Sequence, residues 1–110
     1  MSRFWILKDG QPFPVDDIKE WVRWFETQER VLARDERDGV RISTVFLGID
    51  SGFEGGSPVL WETMVFGGDH DGDMYRYCSQ LAALVGHARV RAEIFKEMPS
   101  AIDLEIPPGV

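Results

Sequence analysis

The sequence predicts an α+β fold: one twisted, mainly antiparallel sheet with two helices packed on it, in the order ββ-α-ββββ-α. Three observations carry this prediction. Asp9-Gly10 and Asp38-Gly39 each separate short β-rich runs, the hairpin signature in which glycine accepts a positive φ. Val40 to Phe66 holds two apolar runs, V-R-I-S-T-V-F-L-G-I-D and L-W-E-T-M-V-F, around the Gly/Ser/Pro loop S-G-F-E-G-G-S-P-V. Two further stretches, one after Asp17 and one after Ser79, space their apolar residues at a helical period. Antiparallel hairpins with few crossovers place the fold in the α+β class.

Taken in order, Arg3 to Leu7 reads as a strand, with a turn at 8–11. Pro12 to Val15 returns as an edge strand, because two prolines cannot donate to a ladder. Asp16 or Asp17 caps a helix to about Arg30, with Glu20 in capping-box position. Ile18, Trp21, Val22 and Phe25 form its expected buried stripe, and Trp24 sits off it. Val31 to Glu36 and Val40 to Ile49 are strands, the second apolar on both faces and therefore expected to be central and doubly covered. Leu60 to Phe66 and Met74 to Cys78 complete the strands, the first again apolar on both faces apart from Glu62. Ser79 caps a second helix to about Lys96, with Ala83, Gly86, His87, Val90 and Ile94 on one face; Gly86 lets that helix lie close on the sheet. Residues 1–97 form one domain, and 98–110, with Pro99, Pro107 and Pro108, form an extended arm.

The chain has 110 residues, 44% of them hydrophobic, with four Trp, seven Phe and two Tyr, which excludes a disordered protein and fits a single core. No run reaches the roughly 20 apolar residues of a membrane span. The N-terminal M-S-R-F-W-I-L-K-D lacks a signal-peptide segment, and one cysteine, Cys78, forms no internal disulfide; both predict a cytoplasmic setting. Net charge is −7. Between Arg41 and Arg76 there is no Lys or Arg, while Asp50, Glu54, Glu62, Asp69, Asp71 and Asp73 all fall there. Such a surface is repelled by phosphate backbones and favours a basic protein partner over nucleic acid or membrane.

The chemistry-bearing clusters are few. Asp69-His70-Asp71-Gly72-Asp73 resembles the opening of a calcium loop, but Gln80 stands where a closing carboxylate is needed, so it reads as an acidic hairpin turn. Glu62 and His87 would make an acid/base pair if they met; each reads more simply as a structural hydrogen-bond centre. Cys78 reads as a small residue at a strand-to-helix junction rather than a nucleophile. Gly55-Gly56 and Gly67-Gly68 lack the lysine and spacing of a phosphate loop. No catalytic residue, metal or cofactor is expected.

The fragments S-T-V-F-L-G-I-D (Ser43 to Asp50), P-V-L-W-E-T-M-V-F-G-G (Pro58 to Gly68), R-Y (Arg76, Tyr77) and A-x-x-G-H (Ala83, Gly86, His87), with W-x-x-W-F-E upstream, resemble a family of small bacteriophage and prophage proteins. The resemblance runs over about residues 3 to 95. It implies a phage protein in a bacterial cytoplasm and no particular mechanism. Where the family carries a His after the Asp50 position, this chain has Ser51, which weakens a metal site there.

The expectation is a small acidic phage protein that is not an enzyme. It would bind and inhibit a host protein, as anti-CRISPR and other anti-defence inhibitors do, by setting an acidic surface against a basic nucleic-acid-binding groove. Asp50, Glu54, Asp69, Asp71 and Asp73 are its expected contacts, with Trp24 as a second one. The alternatives are a small enzyme or metal-dependent protein using Glu62, His70, His87 and nearby aspartates, or a homo-oligomeric phage accessory protein that buries Trp24 or the arm.

Overall fold

The computed structural model describes residues 3–52 and 56–96; the arm at 98–110 and Glu54 lie outside them. The elements run β1 (Phe4–Lys8), β2 (Gln11–Val15), α1 (Ile18–Thr27), β3 (Val31–Arg37), β4 (Val40–Phe46), β5 (Trp61–Phe66), β6 (Met74–Tyr77) and α2 (Gln80–Ile94). The α+β class and the ββ-α-ββββ-α order are as the sequence predicts. No helix among the described residues is long and apolar enough to cross a membrane.

The strands form two antiparallel sheets, β1-β2 and β3-β4-β5-β6. Both Asp-Gly turns close hairpins, with Asp9, Gly10, Asp38 and Gly39 all at positive φ. The expected long strand from Val40 to Ile49 is broken: β4 stops at Phe46, and Gly48 takes φ +76°. That left-handed residue turns the chain from β5 towards β1, where Trp5 N donates to Gly48 O (2.8 Å) and Asp50 N to Arg3 O (2.9 Å). The opening hairpin is thereby tied to the end of the larger sheet.

α2 packs against all four strands of that sheet. Side chains alternate across a strand, so Ile42, Thr44 and Phe46 of β4 and Trp61, Thr63 and Val65 of β5 face α2 and are buried. The opposite face is not the second buried surface the sequence suggests. Ser43, Val45, Glu62 and Met64 are half-buried there, Phe66 is exposed, and no described element covers them. Their apolar character reflects central strands with one sealed face. In β3 a bulge between Val31 and Ala33 changes the parity. Ala33 and Asp35 consequently fall opposite Thr44 and Ile42, on the α2 side.

α1 is also turned from its expected orientation. Ile18 and Val22 are 54% and 40% exposed, while Trp21, Trp24 and Phe25 are half-buried. Trp21 stacks between Phe4 (5.1 Å) and Phe25 (4.7 Å) and donates its indole N–H to Gly48 O (2.9 Å). Trp24 meets Phe46 edge-on at 5.7 Å and belongs to the core cluster of Phe46, Leu60, Trp61 and Ala83. Three aromatic rings bury more surface than Ile and Val, so they determine which side of the helix turns inward.

Gly86 fixes the approach of α2. A Cβ at that position would lie 2.3 Å from the ring and hydroxyl of Tyr77, so the helix backbone rests on the tyrosine. Gly86→Ala should therefore cost about 1–3 kcal/mol, the usual range for overpacking. Urea denaturation measures this, and an unchanged midpoint would contradict the packing.

Candidate functional site

The sealed interface between α2 and the sheet contains a chain of polar side chains. His87, on the buried face of α2, is 5% exposed; Thr44 and Thr63, cross-strand partners on β4 and β5, are fully buried. His87 Nε2 lies 2.7 Å from Asp35 Oδ2, and its Nδ1 lies 2.7 Å from Thr44 Oγ1. Thr44 and Thr63 share a hydroxyl–hydroxyl bond of 2.5 Å, and the Tyr77 hydroxyl donates to Thr63 at 3.0 Å. Arg91 Nε stands 3.2 Å from the other Asp35 oxygen. All four strands and α2 contribute a member.

The donor sense of this relay follows from the chemistry of its ends. A carboxylate only accepts, so Nε2 must carry a hydrogen towards Asp35, and in the neutral ring Nδ1 then accepts from Thr44. Thr44 accepts from Thr63, and Thr63 from Tyr77, so each hydroxyl gives its one hydrogen in the same direction. Burial pushes the Tyr77 phenol above its ordinary value of 10.0, with Tyr75 adding to the effect. Tyr75 is raised as well, by burial and then by the charges of Asp73 and Glu93.

Tyr77 also borders a pocket of about 300 Å³ between β6 and α2, with Arg76, Cys78, Ala82, Gly86 and Arg89 among its lining residues. Cys78 is exposed, its Sγ 3.9 Å from Ser57 O. Both ring nitrogens of His87 are engaged by Thr44 and Asp35, so His87 is not placed to activate that thiol.

Glu62 and His87 do not form a pair. Glu62 lies on the uncovered face, where its Oε2 accepts from Arg76 Nε at 3.0 Å, with the sheet between it and His87. His70 belongs to the β5–β6 turn, its Nδ1 3.0 Å from Asp73 Oδ2. The alternative enzyme constellation of Glu62, His70 and His87 is thus spread over three places. Among the described residues no three His, Cys, Asp or Glu side chains come together as a metal site.

The expected contact residues are divided too. Asp50 Oδ1 accepts from Gly52 N (2.8 Å) and Val59 N (2.9 Å), bracing its loop before β5. Asp69, Asp71 and Asp73 lie beyond the other end of β5, about 20 Å of strand away at the usual rise per residue. Asp71 Oδ1 accepts from Gly67 N (2.7 Å) and the half-exposed Asp73 is engaged by His70, while Asp69 and Asp71 are exposed. Trp24 packs on Phe46 instead of projecting from the surface.

Reading the sequence missed Asp35, Thr44, Thr63, Tyr77 and Arg91 as one group. A signal existed. Thr44 and Thr63 share the buried parity of Ile42, Phe46, Trp61 and Val65, and the fragments S-T-V-F-L-G, E-T-M-V-F-G-G, R-Y and A-x-x-G-H each contribute one relay member. No family model, curated protein or solved structure matches the chain.

Thr44→Val preserves shape but leaves His87 Nδ1 buried without a partner, and should cost about 1–3 kcal/mol. Chemical denaturation tests this; a loss below about 0.5 kcal/mol, the scatter of ordinary surface substitutions, would mean the relay carries no stability. A second expectation concerns alkaline pH. Tyr75 and Tyr77 are the only two tyrosines of the chain, and both are raised above 10.0. Above that value the native phenols hold protons that the unfolded chain has released, so stability falls as pH climbs towards the folded values. Phenolate absorbance should accordingly develop at higher pH in native protein than in denaturant.

Proposed function

We propose that this protein works by binding another protein, with the β5–β6 end of the sheet as its contact surface and a Lys/Arg-bearing, partly apolar patch as its target. The observation that carries this reading is the composition of that end. Asp69 and Asp73 lie in the turn joining the strands that carry the exposed Phe66, Met74 and Tyr75 (37%, 45% and 40% exposed), with Phe66 and Met74 on the uncovered face and Tyr75 on the α2 side. An aromatic and methionine centre with charges at its margin is the usual make-up of a protein interface. The absence of Lys and Arg from 42 to 75 adds attraction for a basic partner. Within the phage setting that the sequence motifs imply, the partner would be a host defence complex, inhibited through its nucleic-acid groove in the manner of anti-CRISPR proteins. Asp50 and Trp24 have no part in this narrower surface, and Glu54 lies outside the described residues.

The test is capture of partners from a bacterial lysate by wild-type protein and by Asp69→Lys/Asp73→Lys, at low and high salt. Asp71 is left intact because it holds Gly67 N. The wild type should retain a basic partner at low salt and release it at high salt, and the variant should bind at least tenfold more weakly with an unchanged melting temperature. Undiminished capture by the folded variant would remove the proposal.

A further inference from the structure

We propose that the outer edge of β3 is a strand-acceptor site, and that its occupant is this chain's own segment 101–106, added as a fifth, antiparallel strand. The site is separate from the protein-binding surface proposed above and does not rest on it. Among the described residues β3 pairs only with β4, so one side of a seven-residue strand is an open edge. Phe46, which faces α2, donates its N–H towards the β3 side, to Arg30 O at 2.9 Å. Residues opposite each other in an antiparallel pair turn their backbone groups alike, so Asp35, opposite Ile42, bonds β4. Arg34 and Glu36, of the other parity, aim their N–H and C=O groups outward, where no described residue bonds them. An open edge of this length is a template for another strand, and native proteins cover such edges.

The occupant is identified by its sequence and by the place where the chain leaves α2. Ala-Ile-Asp-Leu-Glu-Ile (101–106) alternates apolar and acidic residues strictly, the pattern of a strand with one sealed face, and Pro107-Pro108 ends any ladder beyond it. α2 finishes beside the last residue of β3, with the Arg37 guanidinium 4.7 Å from the Phe95 ring centre. Lys96 then takes φ +55°, the left-handed conformation that turns a chain out of a helix. A segment returning along β3 from there runs from Arg37 towards Val31, antiparallel to it. Residues 97–100, with Pro99, supply the connection. Six residues span about 20 Å at the usual rise, against about 23 Å for β3. The handedness agrees as well. With α2 towards the viewer and β6 running upward, β4 also runs upward, and the N–H of its L-residue Phe46 points right, to β3. A crossover from β6 through α2 to the far side of β3 is therefore right-handed, as nearly all such connections are.

Chemistry selects which face each residue of the segment takes. Asp103 and Glu105, bonded inward, would share the uncovered face with Arg34, whose side chain is 55% exposed. Ile102, Leu104 and Ile106 would then face α2. Leu84 lies on the flank of α2 that sets Arg91 beside Asp35 and Phe95 under Arg37, yet it is 42% exposed, and Leu81, one turn earlier, is 53% exposed. Below them Ala33 offers only a methyl group, so an apolar row has both room and contacts there. The opposite parity would set two carboxylates against Leu84 and beside Asp35, which is unfavourable on both counts.

The experiment is amide hydrogen exchange on the full chain, followed by NMR. The amides of Arg34, Glu36, Asp103 and Glu105 should exchange about a hundredfold or more below unstructured-chain rates, while those of Ile102 and Leu104, which point away from β3, exchange fast. Asp103→Pro/Glu105→Pro removes the two inward donors and should return Arg34 and Glu36 to fast exchange, with Thr44 and Val65 still protected. Leu104→Lys keeps every backbone donor and should lower protection at Arg34 and Glu36 about tenfold, which tests the segment even if the proline variant fails to fold. Fast exchange of Arg34 and Glu36 in the wild type overturns the proposal, and so does protection that survives both variants. Protection that disappears on dilution, with a dimer mass in sedimentation, overturns the intrachain occupant in favour of the segment of a second copy.

Discussion

The central constraint on this fold is the line of hydrogen bonds from Asp35 through His87, Thr44 and Thr63 to Tyr77. Removing these groups from water is unfavourable unless every one finds a partner, and a half-satisfied buried network is worse than an apolar core. The surrounding architecture can be understood as the set of conditions that satisfies all of them. Thr44 and Thr63 must face each other, which fixes the β4–β5 register; a one-residue slip of either strand would turn its threonine to the open face. Asp35 must face α2, which the β3 bulge accomplishes. The helix must come close enough for His87 to reach Thr44, which Gly86 permits. Apolar clusters then lie on either side, Phe46, Trp61 and Ala83 towards one end and Ile42, Val65 and Val90 towards the other. They supply most of the burial energy, while the polar line selects one register among several that would bury similar area.

The smaller layer solves a different problem. A four-stranded sheet covered by one helix leaves the end near Phe46 open, and α1 with the β1-β2 hairpin closes it. The chain reaches that layer by leaving the sheet at Gly48. A side chain there would meet the indole of Trp21 at 3.2 Å and would also disfavour the φ of +76°. The same carbonyl accepts the Trp21 N–H and the Trp5 N–H. One glycine thus sets the bend in the chain, the seating of α1 and the docking of the hairpin, which couples the two layers.

What the sequence disclosed and what it concealed divide along the range of the interactions. The hairpins were legible because Asp-Gly turns act locally, and the inward face of α2 because its periodicity is complete within one helix. The break at Gly48 was hidden, since a lone glycine in an apolar run carries no sign of whether the strand continues. The orientation of α1 was misjudged because Ile18 and Val22 share the stripe of Trp21 and Phe25, while Trp24 gains its contact from Phe46, 22 positions on. The relay was least legible. His87 meets residues 43 and 52 positions away, and a threonine in a β-rich run looks like an ordinary strand former until its neighbours are known to be buried. The acidic residues misled in the opposite way, for charges adjacent in composition were separated by the length of β5.

That separation alters how the net charge should be understood. At physiological ionic strength, charges more than about 8 Å apart are largely screened from one another, so a distant ligand is steered by the local sign and not by the total. Asp69 and Asp73 lie beyond one end of β5. Arg76 of β6 is instead paired with Glu62 on the uncovered face of the sheet. The flank where β6 meets α2 is set by the contact that seats the helix, Tyr77 against Gly86, while Asp69 and Asp73 lie in the β5–β6 turn. An alteration at the turn is therefore free to tune association with little effect on packing. An alteration at the flank acts on packing directly, because Tyr77 belongs both to the helix contact and to the buried hydrogen-bond line.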